Sequence, residues 1–389
     1  MVLLRLAFRN IWGAGLRTWL NAIVLSISFV AIIWTQGLYE GMAEQVSREM
    51  IKVSVGGGQI WHSNYDPYDP LTLDESHGQI PPICQQWIAN DQAAPVLIHQ
   101  GAIYPQGRMQ QILLKGIDPG QQIVQLPTQG LANHDRLTGL IGARMARKTG
   151  LQKGDYITIR WRDSKGVFDA ADVQIAGIFD TYAASIDQNQ IWLPLNRLQR
   201  MLAMPDQATM FILDREFSPS KIPEGWLFKR QNDLLANIQE IVQAKSVGAS
   251  ILYVVLLLLA MLAIFDTQVL SIFRRRKEIG TLIALGMTRS RVIGLFTLEG
   301  SMHGVLAAIV AAIYGIPLLV WYAVYGLGLP IDAENYGIAL GQRIFPIYSA
   351  GLIIGTTLLI MIVVTIISYW PTRRIAKLKP TDALLGKTQ

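Results

Sequence analysis

The stretch SVGASILYVVLLLLAMLAIFDTQVLSIF, Ser246–Phe273, carries one charged side chain, Asp266. A helix needs about 20 predominantly apolar residues to cross ~30 Å of hydrocarbon, so this segment reads as a membrane span. Three further runs meet the same test. One lies between Arg17 and Glu40, one runs from after Arg291 to about Leu329 with Glu299 inside it, and one lies between Arg343 and Arg373. Over all 389 residues, 51% are hydrophobic and only 16% charged, where soluble domains carry about 25%. The first run is too long for the apolar part of a signal peptide. Trp34-Thr35-Gln36-Gly37 also offers no small-residue cleavage site, so the run reads as an uncleaved signal anchor.

The flanking charges give an orientation. Arg5, Arg9 and Arg17 precede the first span. Arg274, Arg275, Arg276, Lys277, Arg289 and Arg291 face one acid, Glu278, between the second and third. Arg373, Arg374, Lys377, Lys379 and Lys387 follow the fourth. These segments are expected in the cytoplasm. Residues 40–245, with 19 basic and 22 acidic side chains, are expected outside. The net charge of +6 is thus a topology signal, and nucleic-acid binding is excluded. Along Val2–Trp12, apolar residues recur at helical spacing with Arg5 and Arg9 opposite, which predicts a helix lying in the headgroup layer.

The predicted fold is therefore an α-helical membrane protein with four transmembrane helices and a large mixed α+β periplasmic domain. Residues 1–40 hold the interfacial helix and span one, 41–245 the periplasmic domain with stalk helices at both ends, and 246–389 spans two to four. Within the outer domain, strands are expected at Gln59–His62, Ala94–His99, Gln111–Lys115, Tyr156–Trp161, Val173–Phe179, Gln190–Leu193 and Met210–Leu213. Helices are expected at Gly41–Lys52, Ile83–Asn90, Ala143–Gly150, Leu195–Leu202 and Asn232–Ala244, the first and last continuing spans one and two outward. Two subdomains are expected. A single cysteine, Cys84, excludes an internal disulfide, and five scattered histidines argue against a metal site. No catalytic motif is present, and Asp66 and Asp69 sit in a Pro-rich turn, where aspartate stabilises the turn itself. Gly386-Lys387-Thr388 imitates the end of a phosphate-binding loop, but Thr381 stands where its first glycine belongs.

Two segments carry a family resemblance. Arg274–Gly286 reads RRRKEIGTLIALG, followed by Met287-Thr288 and, in span three, Leu298-Glu299-Gly300 and Gly304. The end, Tyr369–Leu385, reads YWPTRRIAKLKPTDALL. Both resemble the FtsX-type permease domain shared by MacB and the lipoprotein-releasing permeases LolC and LolE. Ile141–Ala146, Leu151–Asp155, and Gly177-Ile178-Phe179 followed by Asp187 resemble elements on the LolC/LolE side.

The resemblance implies the permease subunit of an ABC transporter in a bacterial inner membrane, no enzyme itself. ATP and Mg would be bound by a separate cytoplasmic ATPase, present in two copies beside a second permease, with no cofactor in this chain. A periplasmic carrier or membrane-fusion protein and membrane lipid are the remaining expected partners. Release of lipoprotein or another lipid-anchored cargo is the leading expectation; a MacB-like efflux component or an FtsX-like regulator of a periplasmic hydrolase are the alternatives. The implied coupling helix spans 274–290, with Arg274, Arg275, Arg276, Lys277, Glu278, Ile279, Gly280, Leu285, Gly286 and Met287 as contact residues. Gly286 is also a natural helix stop. Arg373, Arg374, Pro380 and Leu384 form a second cytoplasmic contact. Asp266 and Glu299, each eight residues from a cytoplasmic arginine, are expected about 12 Å inside the helix ends. They form either a polar pair or proton-linked gate, or ordinary hydrogen bonds near the interface. Gly300-x-x-x-Gly304 and Gly351-x-x-x-Gly355 predict close helix packing, with Ala308, Ala311, Ala312 and Gly315 extending the first face.

Overall fold

From the N-terminus, the computed structural model runs through α1 (Leu16–Met50), β1 (Gly58–His62), α2 (Pro82–Ala89), β2 (Ala93–Ile103), β3 (Gln110–Ile117), β4 (Thr138–Gly142) and α3 (Ala143–Thr149). It continues with β5 (Tyr156–Arg162), β6 (Phe168–Phe179), α4 (Ala184–Asp187), β7 (Gln190–Pro194), α5 (Leu195–Met201), β8 (Met210–Leu213) and β9 (Trp226–Arg230). Four helices follow: α6 (Gln231–Arg274), α7 (Arg276–Ala284), α8 (Arg289–Tyr325) and α9 (Ala350–Thr372). The structure describes residues 16–132, 136–181, 184–328 and 343–373. The expected interfacial helix Val2–Trp12, and Arg374, Pro380 and Leu384 of the second contact, lie outside the described residues. The described chain divides into a helical unit, from residues 16–42, 242–328 and 344–373, and a sheet unit, residues 43–241.

In the sheet unit, one sheet runs β9-β1-β8-β2-β3-β7-β4-β6-β5, and β2 pairs with β5 as well. That last pairing (Gly101↔Trp161, Ala102↔Arg160, Ile103↔Ile159) closes six strands into a barrel. Strand β2 makes this possible by its length. Residues 93–96 pair with β8, 101–103 with β5, and β3 runs along 96–103. Each strand alternates as the pleat demands: in β5, Ile157, Ile159 and Trp161 are buried while Thr158 and Arg160 are exposed. The barrel interior holds Leu97, Ile103, Leu114, Ile141, Ile159, Ile175 and Ile191, all 0% exposed. The open wing β9-β1-β8 packs Ile60, Phe211 and Trp226 against Cys84 and Trp87 of α2. Barrel and wing share one nine-stranded sheet, each with a core cluster of its own. Asp66 and Asp69 do what turn aspartates do, accepting from Tyr68 N at 2.9 Å and Leu71 N at 3.0 Å.

Among the described residues, four helices are long and apolar enough to cross a membrane: Trp19–Val55, Ser246–Arg274, Arg289–Tyr325 and Ala350–Thr372. Helices α1 and α6 each continue without a break through the residues expected as stalks. Ser349 caps α9, its Oγ accepting from Leu352 N at 3.2 Å. The shared core is built from Leu25, Phe29, Ala260, Ile264, Ala307, Ile360 and Val364. At Gly300 a Cβ would meet Ser368 Oγ at 2.3 Å, and at Gly304 it would meet Met361 Sδ at 2.8 Å, so α8 and α9 pack backbone-close there. The face continues through Ala307, Ala311 and Gly315; Ala312 is exposed. Gly351 and Gly355 are corrected: both are exposed with nothing within 4 Å of a Cβ, so they pack against no described helix. The spacing is the same, but this part of α9 turns that face outward.

Candidate functional site

The link between α6 and α8 is a built elbow. Helix α6 stops because Arg275 leaves helical geometry (φ −101°, ψ 19°), and α7 starts at once. At the other end of α7, Gly286 sits at φ +94°, open to a glycine and strained for other residues. Its N–H donates to Ile283 O at 3.1 Å, and Met287 N–H donates to Leu282 O at 3.0 Å. These two bonds are the paired closure of a Schellman C-cap, with Leu282 and Met287 as its apolar partners. Both belong to one small cluster with Ile272 of α6, Ile279 of α7, and Val292 and Phe296 of α8.

Arg275 ties the three helices together. Its Nε donates to Glu278 Oε2 at 2.6 Å, and its Nη1 donates to Glu299 Oε1 and Oε2 at 3.0 and 2.9 Å. The guanidinium also lies 5.0 Å from the Phe296 ring centre. Burial alone disfavours its charge, but Glu278 and Glu299 outweigh that and hold its pKa above the ordinary arginine value. Glu299, 9% exposed at its side chain, therefore has its counter-ion on the elbow. Its backbone carbonyl accepts from His303 Nδ1 at 3.0 Å.

The elbow's outer side is open. Arg274, Lys277 and Glu278 are exposed, Leu285 is 80% exposed, and a Cβ on Gly286 would meet nothing within 4 Å. Arg276 stacks over Phe273 at 4.5 Å. Ile279 and Gly280 are buried, facing the bundle, so α7 is held on one side and free on the other.

Not every expected residue joins this site. Asp266 and Glu299 form no pair: Asp266 is exposed, and no hydrogen bond or ion pair reaches it among the described residues, while Glu299 is buried against Arg275. A carboxylate in such a place binds the nearest guanidinium before another acid. Arg373 lies over the Tyr369 ring at 5.8 Å, exposed. The clamping role of Arg275 and the floor made by Val292 and Phe296 were missed. The i,i+3 spacing of Arg275 and Glu278 was the available signal.

A second constellation lies in the sheet unit. Arg144 Nη1 donates to Asp187 Oδ2 at 3.1 Å and to Thr181 O at 3.1 Å, and Arg144 N donates to Asp187 Oδ1 at 3.2 Å. A Cβ on Gly142 would stand 1.8 Å from Asp187 Oδ1. The Ile141–Ala146 element and Asp187 are thus one brace. Burial pushes Asp187 up to about 6 despite Arg144. Among the described residues, no three His, Cys, Asp or Glu side chains converge as a metal site.

The family model of the MacB-like periplasmic core domain matches residues 18–219, and that of the FtsX-like permease C-terminal region matches residues 235–380. An uncharacterized ABC transporter permease of Methanocaldococcus jannaschii is 31% identical over 131 residues. The match covers 34% of this chain and 30% of that relative, so the chain spans about a third of the curated relative's length.

Proposed function

Starting from a chain that belongs to the FtsX/MacB-type family of ABC transporter permeases, we propose that it receives motion at the α7 elbow from a separate ATPase and passes it to the sheet unit. ATPase activity in this family lies in a partner subunit. The observation that carries the reading is Arg275, which bonds α7 through Glu278 and α8 through Glu299 at once. A helix that receives a push moves the bundle only if it is fixed to it. The exposed Leu285 and the open Gly286 supply the free side on which a partner groove fits. Helices α1 and α6, each unbroken between the helical and the sheet residues, are the rods available to carry the motion.

The sheet unit is read as periplasmic and both termini as cytoplasmic, on the basic residues that flank the spans. The complex is read as two permeases with two ATPases in an inner membrane. The cargo is read as lipid-anchored, a lipoprotein foremost, on the Ile141–Ala146 and Asp187 elements that resemble lipoprotein-releasing permeases.

The test is co-purification of the cognate ATPase with the full chain. Leu285→Asp places a charge in the expected apolar contact and is expected to lower ATPase recovery about tenfold or more, since a buried anchor contributes above 1.4 kcal/mol. Undiminished recovery removes the elbow as the docking element. A Lys165→Cys probe, exposed in the sheet unit, should react with a membrane-impermeant maleimide on intact cells; reaction only after lysis reverses the orientation.

A further inference from the structure

A groove of about 550 Å³ separates α8 from α9 at the end of the bundle that carries the elbow. Its chemistry is graded along its length. At the mouth stand Arg289 and Ser290, both exposed, with the Tyr369 ring beneath the Arg373 guanidinium. No described carboxylate pairs with Arg289. Deeper in, the hydroxyls are already committed: Ser301 Oγ donates to Thr297 O at 2.9 Å, and Thr365 Oγ1 donates to Met361 O at 2.8 Å. These walls therefore behave as nearly apolar surface. Gly294 makes the gap, since a Cβ there would meet nothing within 4 Å. Beyond the groove, both helices present bare apolar side chains, Val305, Ile309 and Ile313 on α8 and Ile362 and Ile366 on α9.

An occupant must therefore be anionic at one end, apolar along the rest, and reachable from the bilayer. We propose that this groove holds one anionic phospholipid, its phosphate at Arg289 and Ser290 and an acyl chain laid past Gly294 toward Ser301. The run from Arg289 to Ser301 covers about 18 Å at ~1.5 Å per residue, which is long enough for a headgroup and the upper part of a chain. Among the described lining residues the free guanidinium donors are at the mouth, where a phosphate takes charge-assisted bonds. A polar protein segment would find no donors below it. The mouth adjoins the elbow, but no residue of α7 (Arg276–Ala284) lines the groove, and lipid retention by the chain alone is read separately from ATPase recovery.

The full chain is equilibrated in mixed micelles of equimolar phosphatidylglycerol and phosphatidylcholine, and the retained lipid is read by native mass spectrometry. The unaltered chain is expected to keep a phosphatidylglycerol adduct in preference to phosphatidylcholine. Arg289→Gln is expected to lower that retention about tenfold, the effect of losing one charge-assisted contact. Arg289→Lys keeps most of it. Gly294→Leu fills the groove without changing charge and is expected to abolish retention of either lipid, which keeps the test open if Arg289→Gln folds poorly. Excess inorganic phosphate should leave the adduct in place. Equal retention by all variants, equal retention of the two lipids, or displacement by inorganic phosphate each overturns the proposal.

Discussion

Among the described residues, Arg144 and Arg275 each hold a carboxylate away from water, and the surroundings make the first a brace and the second a joint. Arg144 and Asp187 are 5% and 0% exposed at their side chains, and every bond between them stays inside the sheet unit. Arg275 is 24% exposed and divides itself between Glu278, 60% exposed, and Glu299, 9% exposed. A pair buried within one unit acts on the stability of that unit. A guanidinium shared between a surface helix and a spanning helix couples their positions, beside the apolar contact of Ile279 with Val292 and Phe296. The chemistry is the same; exposure of one partner separates the roles.

The largest expected effect lies on the brace. Asp187→Ala leaves a buried guanidinium without its counter-ion, which costs about 3–5 kcal/mol. Thermal or urea unfolding of the full chain should show the sheet unit lost first. A variant as stable as the parent would mean the pair is not structural. A smaller, pH-dependent effect sharpens the contrast. Folded Asp187 keeps its proton up to about 6, while its ordinary value is 3.8, so the folded state binds more protons in that window. Stability from this group is full below that window and falls as pH rises through it, by about 1–3 kcal/mol. Asp187→Asn removes the titration, so the parent's stability relative to that variant should decline between those pH values. A flat difference would show that Arg144 keeps the carboxylate ionised throughout. The smallest effect belongs to an ion pair with no such surroundings: Arg48 and Glu44 meet at 2.6 Å on the exposed side of α1. Arg48→Ala should change the unfolding free energy by no more than about 0.5 kcal/mol.

Much of this was legible in the residues. Long apolar runs, two of them holding a single carboxylate (Asp266, Glu299), give the four helices long enough to cross a membrane, because the hydrocarbon thickness sets a length that composition alone can meet. Seven strands announce themselves through β-branched and aromatic runs between turns. Strand β4 was hidden, since Thr138-Gly139-Leu140-Ile141-Gly142 is short and glycine-rich, and β9 was hidden by Lys229 and Arg230 at the sheet edge. Barrel closure left no local trace, because it depends on one pairing between residues about 60 apart. The same limit applies to the site. Three consecutive arginines look alike in sequence, yet Arg274 is exposed, Arg276 stacks on Phe273, and only Arg275 occupies the break between helices. Gly351 and Gly355 repeat the spacing of Gly300 and Gly304, and only burial distinguishes a packed face from a bare one.

The most direct test follows motion across the joint. Cys84 is buried with its thiol pushed up to about 12, so a fluorophore on Lys165→Cys reports the sheet unit alone. In the complex with the cognate ATPase, adding ATP should change that signal in the parent. With Glu299→Gln the ATPase should still co-purify and still bind ATP, and the signal should fall about tenfold or disappear, as loss of a coupling above 1.4 kcal/mol requires. An unchanged ATP-dependent signal in Glu299→Gln would contradict the claim that the elbow drives the sheet unit through Arg275.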